Sequence, residues 1–74
     1  MKPVIFVLAY LEDGLINKII SWAREEDVGY LQRKYKNLEI EIAENEPEAI
    51  IDDDSITWFN KYGQKCAYQL IKAD

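Results

Sequence analysis

The chain has no histidine and a single cysteine, Cys66, in 74 residues. Without a second thiol no intramolecular disulfide can staple the fold. Without imidazole, Ser-His and Cys-His nucleophiles and His/Cys zinc sites are excluded. Glycine is equally scarce, at three residues, and neither G-x-G-x-x-G nor the P-loop spacing occurs, so no glycine-rich phosphate cradle is expected. The longest apolar run, Val4 to Leu11, is eight residues, against the ~20 that a bilayer-spanning helix requires. Met1-Lys2 ahead of that run has the outline of a signal peptide, but the run ends in Glu12-Asp13 without a small-residue cleavage site. The expectation is a cytoplasmic protein of a reducing compartment, with no membrane, cofactor or metal partner and no enzymatic activity.

What is present is apolar enough to fold: 49% of the residues are hydrophobic and nine are aromatic, too many for a disordered acidic tail. No repeat, low-complexity tract or linker divides the chain, so residues 1–74 read as one domain.

In Val4–Leu11 both alternating sets are apolar and β-branched or aromatic residues dominate, which predicts an interior strand covered on both faces. Leu15, Ile16, Ile19, Ile20 and Ala23 recur at three- and four-residue spacing after Asp13, which predicts a helix from about Gly14 to Glu26 with Asp13 as its cap. From Val28 to Asn37 a short helix on Val28, Leu31, Tyr35 and Leu38 competes with an edge strand. Leu38-Glu39-Ile40-Glu41-Ile42 alternates strictly and predicts a half-buried strand, and Ala49-Ile50-Ile51 a brief further one. Ile56, Phe59, Gly63, Cys66 and Leu70 fit a long helix capped by Ser55, with a hairpin turning at Tyr62-Gly63 as the rival. Together these predict a small two-layer α+β domain, β-α-(α)-β-(β)-α, with helices packed on a short sheet.

Charge supplies the main functional clue. Between Asn37 and Asn60 stand eight acids, Glu39, Glu41, Glu44, Glu46, Glu48, Asp52, Asp53 and Asp54, and no lysine or arginine. The rest of the chain is mildly basic, and the net charge is -5. Such a block repels nucleic acid and attracts basic protein surfaces. The expected partner is therefore a basic protein, with the carboxylates standing where phosphates would if that protein binds nucleic acid, as in small inhibitors of the phage or mobile-element type. The competing reading is a structural module that forms a homodimer through its sheet. The bland alternative is that the acids only solubilise.

Other candidates are weaker. Asp52-Asp53-Asp54 could meet a hard cation, but consecutive acids do not converge on one ion and no closing ligand is recognisable, so they read as acids leading into a helix. Glu12 and Asp13 read as a cap rather than a strand-end ligand site, and Cys66 as a small buried apolar residue. Arg33, Lys34 and Lys36, interleaved with Tyr30 and Tyr35, could grip a single strand of nucleic acid, yet three bases in an acidic chain point to an exposed face. Trp58, off the apolar stripe of the predicted helix, is expected to be partly exposed and a contact residue, with Phe59 inside; Trp22 is its counterpart at the margin of the first helix.

Overall fold

The computed structural model describes residues 4–73; the Met1-Lys2-Pro3 start lies outside them. Its elements are β1 (Ile5–Glu12), β2 (Leu15–Arg24), a 3-10 turn (Glu25–Asp27), α1 (Val28–Asn45), β3 (Ile50–Ile51), β4 (Ser55–Phe59) and β5 (Lys65–Ala73). The strands form one sheet in the order β2-β1-β5-β4-β3, antiparallel at every pairing, and the single helix lies on one side of it. The β-α-(α)-β-(β)-α arrangement is thus overturned: three predicted elements are of the wrong type.

The first is the predicted helix Gly14–Glu26, which is strand β2. Asp13 and Gly14 both have positive φ, 53° and 83°, the conformation of the two-residue hairpin turn for which Asp-Gly is a strong signal. Asp13 therefore turns the chain instead of capping a helix. Two irregularities in the β1–β2 register, which leave Ile20 and Asn17 without a Cα partner, shift the parity of β2. That shift explains the misleading pattern. Ile16 and Ile19 fall on one face of the sheet and Ile20 and Ala23 on the other, so a bulged strand carries apolar residues at helical spacing.

The second is Leu38–Ile42, a predicted strand that continues α1. Leu31, Tyr35, Leu38 and Ile42 follow one another at offsets of four, three and four and face the sheet, whereas Ile40 is 59% exposed. The third is residues 56–71, where the hairpin replaces the predicted helix. Asn60 closes its turn: the Asn60 Oδ1 accepts the backbone N–H groups of Tyr62 (2.9 Å) and Gln64 (3.0 Å), and Gly63 takes φ 78°. Ser55, expected as a helix cap, begins β4.

β1 lies inside the sheet, between β2 and β5, but it is not covered on both faces as its two apolar sets predict: α1 covers one, and among the described residues no layer covers the other. The core forms where α1 crosses that sheet: Leu8, Leu31 and Ile56 are wholly buried, Ala23 and Tyr35 nearly so, and Phe6, Tyr68 and Leu70 pack around them. Among the described residues only this side of the sheet carries a second layer. On the other side the register aligns Trp22 with Val7 and Ile71, Ile19 with Ala9 and Gln69, and Ile16 with Leu11 and Ala67. No helix among the described residues is long and apolar enough to cross a membrane.

Candidate functional site

The eight acids come from the second half of α1, the strap that leaves it, and the turn between β3 and β4. Each position has a local cause. Glu39, Glu41 and Glu44 occupy α1 off its buried stripe, Pro47 ends the helical course, and Asp52–Asp54 make the β3–β4 turn, where the Asp52 N–H donates to the Ser55 carbonyl at 2.8 Å. The expectation that Asp52–Asp54 lead into a helix is corrected by that turn.

In space the set divides between the two ends of β3. Glu39 and Asp52–Asp54 line one cleft of about 790 Å³ together with Gln32, Tyr35 and Lys36. Glu46 and Glu48 line another, of about 510 Å³, with Trp58 and Phe59. Glu41 bears on Tyr68 electrostatically, and Glu44 is exposed on the last turn of α1. Of these carboxylates only Glu39 has a cationic partner among the described residues, Lys36 Nζ at 3.3 Å. β2, with Lys18 and Arg24, forms the opposite edge of the sheet and is followed by Glu25, Glu26 and Asp27, while the other bases among the described residues are spread over α1, the β4–β5 turn and β5.

The clefts have ordered walls. Tyr35, buried under α1, donates its hydroxyl to the Asp52 carbonyl at 2.8 Å and so ties the helix to the acidic turn. Burial first, then the carboxylates of Glu39, Asp54, Asp52 and Asp53, push this phenol up to about 12. Behind the second cleft Trp58 stacks at a tilt on Tyr68 (centroids 5.4 Å apart), which meets Tyr10 at 5.5 Å. Burial and then Glu41 raise the Tyr68 phenol. Tyr10 is raised above the usual tyrosine range, first by its hydrogen bond to Cys66 Sγ (3.5 Å), then by burial and by Glu12.

Trp58 and Phe59 exchange the places the helical reading assigned to them. In a strand, neighbours point to opposite faces: Trp58 packs half-buried against the core, and Phe59 stands 62% exposed on the open side. Phe59 is the site residue that sequence reasoning missed, and two-residue alternation through Ile56, Trp58 and Phe59 would have found it.

The basic cluster does not assemble into a nucleic-acid grip. Tyr35 is buried and offers no stacking face, and Tyr30 is covered by its own Lys34, whose Nζ lies 5.0 Å from the ring centroid. The Tyr30 phenol is lowered by its hydrogen bonds to Lys34 and Ser21. Cys66 is buried on the helix-covered side of β5. Among the described residues no three of Cys, Asp or Glu are placed to hold a metal ion. No protein-family model, no curated protein and no solved structure matches the chain.

Proposed function

We propose that this chain is a small acidic protein-binding module that presents its β3 edge to a basic surface of another protein and acts by occupying that surface. The observation that carries this reading is the placement of the acids against the fold's own electrostatic preference. A helix C-terminus carries partial negative charge and favours lysine or arginine in its last turn. α1 instead ends with Glu39, Glu41 and Glu44, followed by Glu46 and Glu48, and has no basic residue in its last turn. Glu44, in the last turn itself, costs a few tenths of a kcal/mol up to about 1 kcal/mol. A partner's cations would offset that cost on binding. The aromatic surface beside Glu46 and Glu48 supplies apolar area to an interface otherwise made of charge.

The test is capture from a lysate of the expressing cell on the immobilised chain. The expected result is a basic protein released by moderate salt, and by added DNA if its surface is a nucleic-acid site. A variant carrying Glu39→Gln, Asp52→Asn, Asp53→Asn and Asp54→Asn should lose that protein while keeping its fold by circular dichroism. Capture that survives these four substitutions undiminished would overturn the proposal.

A further inference from the structure

The side of the sheet that α1 leaves uncovered has its own chemistry. It is apolar across β1 and most of β2, uncharged and polar at Ser55, Thr57 and Gln69, and among strand residues whose register places them there the charged ones are Arg24 and Lys65, at its margins. No acid stands on it, in a chain of net charge -5. It is also uneven. Trp22, 58% exposed, projects from β2, while across the sheet Thr57, Ala67, Gln69 and Ser55 floor a hollow of about 300 Å³.

We propose that two copies of this chain pack face to face through this side of the sheet, each placing Trp22 in the Thr57–Ala67–Gln69 hollow of the other, to give a helix–sheet–sheet–helix sandwich. A two-fold interface must be self-complementary, the same patch serving as both surfaces. Here knob and hollow lie on one face, on opposite sides of β1. A two-fold axis in the plane of the interface, inclined to the strands because Trp22 stands level with Val7 and the hollow level with Ala9 and Leu11, exchanges them.

Size favours the same occupant. β1, β2, β4 and β5, of 8, 10, 5 and 9 residues, at ~4.8 Å spacing and ~3.4 Å per residue give a plan area of roughly 500 Å² before side-chain relief. That is the order of the ~800 Å² per partner in a standard interface. Homodimer interfaces are the more apolar class, and an interface core is depleted in charge, as this face is. Small folds are commonly stapled by disulfides, by a metal or by oligomerisation. With one cysteine and no histidine, this chain has neither an intramolecular disulfide nor a His/Cys metal site to staple it.

Sedimentation equilibrium on the full chain tests the inference. The expected mass is twice the 8.7 kDa of the chain, with a thermal midpoint that rises with protein concentration. Trp22→Glu with Ile19→Lys should return the mass to that of one chain and abolish the concentration dependence while circular dichroism is unchanged. Should that pair fail to fold, Trp22→Ser alone should raise the dimer dissociation constant at least tenfold. A wild-type mass of one chain across the micromolar to submillimolar range would overturn the proposal, as would a dimer that Trp22→Ser leaves equally tight.

Discussion

Tyr35 links the core to the acidic turn through one oxygen. Its ring is buried under α1 and its hydroxyl donates to the Asp52 carbonyl. Burial and four carboxylates raise its pKa to about 12, so the folded state holds the neutral phenol more tightly than the unfolded chain does. The stability this contributes is complete below pH ~10 and is lost as pH rises through about 12. Tyr35→Phe should therefore cost about 0.5–1.5 kcal/mol in urea unfolding at pH 8. Between pH ~10 and ~12 its stability should fall less steeply than that of the wild type, with Tyr10 and Tyr68 supplying the remaining slope. Equal slopes would mean that the Tyr35 hydroxyl is not held neutral by the fold. The spacing of Tyr35 from Leu31 and Leu38 makes its ring legible in the sequence as part of a helical stripe. Its hydroxyl partner, seventeen residues away in a turn, is not.

At the scale of elements, what was legible was apolar periodicity, and what misled was periodicity with more than one cause. β1 is readable as an interior strand from its two apolar sets, but the cover those sets predict on both faces is present on one only. β2 is not, because two bulges reproduce the spacing of a helix; the Asp13-Gly14 turn was the better signal. In β4 and β5 the face toward α1 is apolar through Ile56, Trp58, Cys66, Tyr68 and Leu70, while the uncovered face mixes Ser55, Thr57, Lys65 and Gln69 with Phe59, Ala67 and Ile71, so alternation is broken. Alternation at Leu38–Ile42 is an accident of a helix that buries Leu38 and Ile42 four residues apart. That distinction predicts a pattern. Leu38→Ala and Ile42→Ala, half-buried against the core, should each cost about 1–3 kcal/mol, whereas Ile40→Ala, on the exposed side, should stay within about 0.5 kcal/mol. In a strand all three would share one face, and comparable costs at all three positions in chemical denaturation would restore the strand.

For the whole molecule the organising feature is a one-layer cover on a two-faced sheet, with an eight-residue acidic block around its β3 edge. The acidic block was legible as composition; its division between two clefts at the ends of β3, with Phe59 beside one of them, depends on the hairpin register and was not. The proposed function rests on acids kept at a helix end where they weaken the fold, so stability and binding should move in opposite directions when that charge is reversed. Glu44→Lys, exposed in the last turn of α1, tests this most directly, measured as unfolding free energy and as affinity for the captured partner in the same buffer. The account predicts that the variant is more stable by about 0.3–1 kcal/mol and binds more weakly, with a shallower dependence on salt. A variant that gains the same stability and binds the partner as tightly as the wild type would contradict it.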